Sequence, residues 1–402
     1  MNKNILKVLK FITIVCVIIL IIELIYFIYV GFYRKEKSIL FDGVNSISLT
    51  DKGYVTVGSN NDNEKYYERA KVIKYNSNRE KIYEKLYNKG LNGSFFGVAS
   101  DGDIVVAVGS YESDGKEHRN NDRSALMVAY DKDGELLFEN TFNELSYSKF
   151  MNVKVVEDGY IVCGQSIYSS NKVGNSQVGG AYLIKYDKNG KLLWKKNYGN
   201  NKSAIFNDIY IDGDYIYAVG LNNNEVGVIV RFTKNGEYVD SNDYKYTDRL
   251  GFSGVTKLDD FIYVATSNKR NDGDTDAMII RYTSDLKYVD EVIYTGKELE
   301  RFNKIITDSK DNLVAIGSMA LITKDKKNKV GEYNYNGLIA KYDKDLKKIA
   351  VVDYGNDYDD YFNDVVELDG SYVVVGYSSV ADGEYYSKYI KYSDALKVLE
   401  IE

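Results

Sequence analysis

An aromatic residue closes an alternating run of the AYLIKY type at Tyr75, Tyr130, Tyr186, Phe232, Tyr282, Tyr342 and Tyr392, and the spacings measured from it repeat along the chain. Twelve residues after each of the first six stands a second aromatic: Tyr87, Phe142, Tyr198, Tyr244, Tyr294 and Tyr354. Twenty residues after each stands Phe95, Phe150, Phe206, Phe252, Phe302 or Phe362. Thirty-four residues on come Gly109, Gly164, Gly220 and Gly376, with Thr266 in one copy and Gly317 displaced by one residue within the TDSKDN turn. A period held this long restricts the chain to repeat architectures, in which each copy is one supersecondary unit that buries its faces against its neighbours.

Alternation between the turn signals gives four strands per copy. They are designated A (FNDIYI, 206–211), B (YIYAVG, 215–220), C (AYLIKY, 181–186) and D (KLLWKKNY, 191–198). Short polar turns join A to B and C to D, so both pairs read as hairpins. The chain has no proline, which leaves the turns to Gly, Asn and Asp. From the strand B glycine, or Thr266, to the next strand C aromatic the distance varies between 12 and 25 residues, so the variation in length is concentrated in the B-to-C connections. Radially repeated four-stranded meanders are the blades of a β-propeller. The expectation is therefore an all-β, seven-bladed β-propeller of four-stranded antiparallel blades over residues 44–402, closed into a ring.

The C-to-D turns read YNSNREK, YDKDGEL, YDKNGKL, FTKNGEY, YTSDLKY, YDKDLKK and YSDALKV. Asp holds the first turn position in only three of them and Gly the fourth in only three. A calcium loop needs glycine at its sixth position and a bidentate Glu at its twelfth. These segments have neither, and they read as hairpin turns.

The unit KYDKNGKLLWKKNYGNNKSAIFNDIYIDGDYIYAVG resembles the repeats of bacterial secreted and surface β-propellers of the PQQ-like and SBBP-type kind, and the resemblance covers residues 39–402. It implies the fold and is nearly silent on activity, since such propellers include scaffolds, adhesive modules and enzymes. YDKNGKLLW is also similar to the signature of quinone-dependent dehydrogenases. Trp194 is the only tryptophan, however, and beyond the N-terminal apolar segment Cys163 is the only cysteine, so the quinone cofactor is not carried over.

Residues 11–33 form an apolar run interrupted only by Glu23, the length a bilayer asks of a helix. The sequence thus predicts a cytoplasmic head (1–10), a transmembrane signal-anchor helix (11–33), a linker (34–43) and the repeats. The whole is a single-pass protein of the cell membrane with its repeats on the extracytoplasmic side. The run is too long for the apolar region of a cleaved signal peptide. The chain carries a net charge of −7, and −11 beyond position 37, which disfavours nucleic acid as a partner.

With strand A innermost and D outermost, the B-to-C connections and the D-to-A crossings share one face, and variable loops customise binding. Tyr66, Tyr67, Tyr111, Tyr333, Tyr335, Tyr385 and Tyr386 lie in those connections, where they could stack on sugars or anchor a protein. Ordinary solvated loops in a tyrosine-rich chain are the competing reading. Asp272, Asp274 and Asp276 alternate as calcium ligands do, against simple loop solvation, and a structural calcium is the one ion the sequence offers. Asp357, Asp359 and Asp360 form a similar cluster, while Asn207, Asp208, Asn303, Asn363 and Asp364 follow the strand A Phe and are expected to bond backbone there. His118 is the only histidine, which excludes a histidine-based triad or metal cluster. The preferred function is a protein- or glycan-binding or scaffolding module without a cofactor. The alternative is a carboxylate-dependent glycan hydrolase or lyase of the cell envelope.

Overall fold

The computed structural model describes residues 42–401 except 63–66, 113–122, 146, 168–178, 200–203, 223–225, 245–250, 270–273, 297–298, 323–332, 356–357 and 381–383. Residues 1–39 form a unit separate from 40–402, and the helix expected at 11–33 lies outside the described residues. Every regular element described is a strand, and among the described residues no helix is long and apolar enough to cross a membrane. The single-pass membrane placement is corrected on that finding, since no described element supplies a span.

The twenty-eight strands pair antiparallel in A-B-C-D order, as the alternation predicts. Their grouping corrects the blade count. Five separate four-stranded blades form, from residues 42–86, 205–243, 254–294, 300–354 and 360–401. Residues 91–198, expected as two more blades, pair into one eight-stranded sheet. The cause is local: a single parallel bridge, Arg123 to Tyr147, joins strand C of the second repeat to strand A of the third. Antiparallel pairing elsewhere in that sheet follows the same meander as in the blades.

Strands B and C are central and covered on both faces, so they read as continuous apolar runs such as Tyr160–Cys163, which is buried throughout. Strand D is the outer edge and keeps its alternation, with Leu192 52% exposed at its start. The apolar clusters lie between neighbouring sheets. One joins Tyr217, Val219 and Ile229 of the fourth repeat to Val255, Ile262, Val264 and Met278 of the fifth.

The strand B glycine has a steric cause. Strand A bulges just after its Phe, shown by register shifts such as Phe206 to Asp208 and Phe362 to Asp364, and its backbone there crowds strand B. A Cβ at Gly220 would stand 1.9 Å from the Ile205 carbonyl oxygen, and one at Gly376 1.8 Å from that of Tyr361. Where Thr266 replaces glycine, strand A shortens to Gly254–Leu258, and the Thr266 hydroxyl donates to the Gly251 carbonyl at 3.1 Å.

The C-to-D turns share one geometry despite their different sequences. Asn76, Asp131, Asp187, Thr233, Thr283, Asp343 and Ser393 each accept, through a side-chain oxygen, the backbone N–H four residues on, at 2.8 to 3.2 Å. The fourth turn residue always has positive φ: Arg79, Gly134, Gly190, Gly236, Leu286, Leu346 and Leu396. A Cβ on Gly134, Gly190 or Gly236 would meet Tyr83, Phe138 or Trp194 of the preceding strand D at 2.6 to 2.9 Å. The equivalent strand D residues Asp240, Asp290 and Ala350 are not aromatic, and the turns that follow them carry Leu286, Leu346 and Leu396, all buried. One gap at each seam is thus filled from either side. Left-handed backbone costs a leucine about 1–2 kcal/mol, which burial worth about 1.5–3 kcal/mol offsets.

The ring closes through side chains, because the first and last blades are each built from their own segment of chain. Asn363 Nδ2 donates to the Val44 carbonyl at 2.8 Å, and Asp364 Oδ2 accepts from Ser46 Oγ at 2.6 Å and Ile47 N at 3.1 Å. Tyr54 stacks on Tyr389, Arg79 lies 4.3 Å from the Tyr389 ring centroid, and Arg79 pairs with Glu400.

Candidate functional site

Strand register places the ends of B, the starts of C and the starts of A at one end of every sheet, as in the pairing of Glu112 with both Leu91 and Arg123. The connections of variable length therefore leave from that end. There, where the sixth and seventh repeats meet, four tyrosines form a ladder. Tyr335 stacks on Tyr361 at 5.1 Å between centroids, Tyr361 meets Tyr377 at 5.0 Å with the rings tilted by 35°, and Tyr377 meets Tyr385 edge-on at 5.6 Å. Arg301 is exposed, with its guanidinium 6.0 Å from the Tyr335 centroid. Each aromatic pair adds about 0.5–1.5 kcal/mol beyond area burial, which holds the rings in place before anything binds. Burial, with the Asp359 carboxylate beside it, raises the Tyr361 pKa, so the phenol stays protonated and can donate.

All four rings are half-buried, and the adjacent Tyr386 is 41% exposed with its hydroxyl donating to Glu384 at 2.7 Å. The crossing beneath the ladder is pinned by Asp359, whose carboxylate accepts the Tyr335 N–H at 2.9 Å and whose own N–H donates to Ser379 Oγ at 3.0 Å. Asp360 is buried and accepts from Ser378. Both carboxylates therefore hold backbone or hydroxyl groups of the crossing in position.

Of the tyrosines singled out in the sequence, Tyr335 and Tyr385 are brought together here through Tyr361 and Tyr377. Tyr111 sits apart, packed edge-on against Tyr87 at 5.3 Å. Tyr67 and Tyr333 open their C strands, opposite Asp62 and Ile322, and Tyr66 lies outside the described residues. Asp272 is also outside them; Asp274 accepts the Thr275 N–H at 2.8 Å, and Asp276 is buried in strand C opposite Asn268. Among the described residues no group of three His, Cys, Asp or Glu side chains could hold a metal ion.

Sequence reasoning missed Tyr361, Tyr377 and Arg301. The residue before the strand A Phe is otherwise Ser94, Lys149, Ile205, Gly251 or Arg301, and the one after the strand B glycine is Ser59, Ser110, Gln165, Leu221 or Ser318. Tyr361 and Tyr377 are the aromatic exceptions in both columns and fall in the same copy, a signal that alignment of the copies exposes.

The same end holds the mouth of the central channel, a pocket of about 250 Å³. Its rim is the bulge residue of each strand A. Asn45, Asn207, Asn303 and Asn363 donate from Nδ2 to the carbonyl at the strand A entrance of the next repeat, each at 2.8 Å, and Ser253 does the same at 2.6 Å. Asn207, Asn303 and Asn363 thus bond backbone as the sequence suggests, but across the seam. Phe96 and Met151 occupy the equivalent positions in the eight-stranded sheet and give the rim an apolar sector. Below the rim Lys304 reaches past Gly254 to Asp208 at 2.8 Å. Burial disfavours the Lys304 ammonium, but Asp208 and Asp364 outweigh it and raise its pKa.

No protein-family model matches the chain, and no curated protein sequence matches it. Among solved structures it is similar to the WD40 β-propeller domain of Doa1, with a TM-score of 0.52 and 11% identity over 88% of this chain and 95% of that one. Hydrazine synthase of Kuenenia stuttgartiensis gives a TM-score of 0.51 and 10% identity over 86% and 94%. A puromycin-hydrolysing peptidase of Mycobacterium tuberculosis gives 0.54 and 8% over 91% of this chain and 53% of the peptidase. At such identities the likeness shows the fold alone. The chain is a β-propeller.

Proposed function

We propose that this propeller is a binding module that engages a protein partner through its loop-bearing end, with the ladder Tyr335, Tyr361, Tyr377 and Tyr385 as the anchor. The single observation behind this reading is the ladder itself. Tyrosine and arginine are the residue types that dominate protein interfaces, because they supply large rigid contact area at low entropic cost. The inner rings turn their faces to one another, which leaves ring edges toward a partner. A pyranose would need a free ring face, so a protein is favoured over a glycan. The carboxylate-dependent hydrolase is the weaker reading, since Asp359 and Asp360 already hold the crossing.

A photo-crosslinking residue placed at Tyr386 of the full chain in its native cells tests this. A discrete protein adduct that disappears in the Tyr335→Ala/Tyr385→Ala variant is expected. Adducts unchanged by that variant, or equally formed from a crosslinker at Lys132 on the opposite end, would overturn the reading. Glycan-array binding that depends on the same two tyrosines would move it to a sugar ligand.

A further inference from the structure

In six repeats strand D ends on an aromatic ring that is seated in one way. Phe142, Tyr198, Tyr294 and Tyr354 pair with Ala125, Ala181, Ala277 and Gly337 of strand C, while Tyr87 and Tyr244 donate their N–H groups to the carbonyls of Ala70 and Gly227 at 2.8 and 2.9 Å. The rings lean over the next strand A. Phe142, Tyr198, Tyr244 and Tyr354 lie 5.6 to 6.2 Å, between centroids, from Phe150, Phe206, Phe252 and Phe362. Strands C and D of the next repeat add the polar contacts. Lys388 stands 5.5 Å from the Tyr354 centroid, and the Tyr87 hydroxyl donates to Glu139 at 2.9 Å, as that of Tyr244 does to Glu291.

The seam between the last and first blades keeps this frame. Ser387 stands where Ala277 and Gly337 do, Val44 where the strand A Phe does, Lys71 where Lys388 does, and Glu84 where Glu139 and Glu291 do. Strand D of the last blade, Val398–Ile401, pairs with strand C only as far as Ile390, so among the described residues the outer edge of residues 387–389 has no ladder partner. In place of a seated ring there is a cavity of about 170 Å³, whose lining includes Val44, Lys71, Ile73, Ser387 and Tyr389. An apolar cavity of about 150 Å³ accommodates benzene, so this one has room for a single ring. Ser387 Oγ is buried there with no hydrogen-bond partner among the described residues. Lys71 is buried and paired with Asp42. Glu84 is exposed, 2.6 Å from Lys81, and stands opposite Ile73 on the cavity face, as Glu139 stands opposite Val128 and Glu291 opposite Ile280.

We propose that this seam binds an extended peptide of a partner protein, which adds to the edge of residues 387–389 and seats a tyrosine in the cavity. Backbone pairing along the edge carries affinity and the pocket for one side chain carries specificity. Val44 lies beneath the ring, Lys71 faces it as Lys388 faces Tyr354, and Glu84 accepts the hydroxyl as Glu139 and Glu291 do. A free aromatic molecule would leave the strand edge without a partner, so a peptide is favoured.

The test is fluorescence anisotropy of the labelled heptapeptide KLYNKGL, residues 85–91 of this chain, on the full chain. Its one tyrosine is the residue that meets Glu139 in its own seam. Saturable binding is expected, at least tenfold weaker for the peptide with Tyr87→Ala and at least tenfold weaker to Ser387→Leu protein. Ser387→Leu fills the cavity with apolar volume in place of a hydroxyl without a partner, so the thermal transition should hold or rise and report an intact fold. Tyr87→Phe in the peptide should weaken binding about tenfold, a difference that disappears in Glu84→Ala protein, where the change is at an exposed position. No saturable binding, equal binding of the alanine peptide, undiminished binding by Ser387→Leu, or a phenylalanine penalty that persists in Glu84→Ala would each overturn the proposal. N-acetyltyrosinamide binding as tightly as the peptide would assign the cavity to a small aromatic ligand and overturn it as well.

Discussion

The seam between the sixth and seventh repeats has two ends made of the same materials and used differently. At the loop-bearing end, tyrosines stand half-buried beside an exposed arginine. At the turn end, Tyr372 is buried among Lys341, Asp308 and Asp394. Its hydroxyl donates to Asp308 Oδ2 at 2.6 Å and accepts from Lys341 Nζ at 2.7 Å, while Lys341 also lies 3.1 Å from Asp308 and pairs with Asp394. Asp308 further accepts the backbone N–H groups of Lys310 and Asn312. Every polar group in this knot is answered from within. What separates the two clusters is therefore not composition but burial: Tyr372 is 1% exposed, while the ladder rings are half-buried beside an exposed arginine.

The comparison can be broken most sharply at Asp308. Asp308→Ala leaves the Lys341 ammonium with its salt-bridge network depleted at a site 4% exposed, and should cost about 3–5 kcal/mol of unfolding free energy by denaturant titration. Partner binding at the ladder should survive wherever the fold does. At the other end, Tyr335→Ala/Tyr385→Ala should weaken partner affinity by about 2 kcal/mol or more, roughly thirtyfold, while the unfolding midpoint moves far less than in Asp308→Ala.

The same chemical change made at both ends sharpens the contrast. Tyr372→Phe removes a hydroxyl with two charged partners and should cost about 1–3 kcal/mol of stability; Tyr361→Phe should stay within about 0.5 kcal/mol, read from the same titrations. A stability loss at Tyr361 matching that at Tyr372 would mean the ladder is structural as well.

Acid gives the smallest effect. Lys310 and then Lys341 hold the Asp394 pKa down to about 2, below its ordinary 3.8. Burial works to raise that of Asp308, but the Tyr372 hydroxyl, the backbone donors and Lys341 outweigh it and lower it. Groups depressed in the folded state contribute stability above their unfolded pKa and lose it as pH falls through the folded value. The turn-end knot should therefore weaken between about pH 4 and 2, and Asp394→Asn should flatten that part of the stability profile, seen as a smaller drop in melting temperature across the window.

Much of the fold was legible because period and alternation are cheap to read: any side chain at Gly220 would collide with the Ile205 carbonyl and Phe206 is fully buried, so both columns are kept. The blade count was less legible, since one bridge at Arg123 and Tyr147 merges two meanders and leaves no mark on hydrophobicity. Membrane placement was read from residues 11–33, and the described strands lend it no support. Of the site, Tyr335 and Tyr385 were visible as loop-flanking aromatics. Tyr361 and Tyr377 sit in the strands themselves, where a tyrosine reads as core, and only their proximity across the seam gives them a different meaning.

The closure between Val44 and Asn363 has one further consequence. Among the described residues no hydrogen-bonded strand straddles the junction of first and last blade, and the contact there repeats the asparagine bond seen at the seams of Asn207 and Asn303. Covalent continuity is then an arbitrary choice among nearly equivalent crossings. Joining residue 401 to residue 42 by a short flexible tether and opening the chain anew between residues 243 and 254 should yield a permuted propeller that folds with the same sheets and keeps the tyrosine ladder.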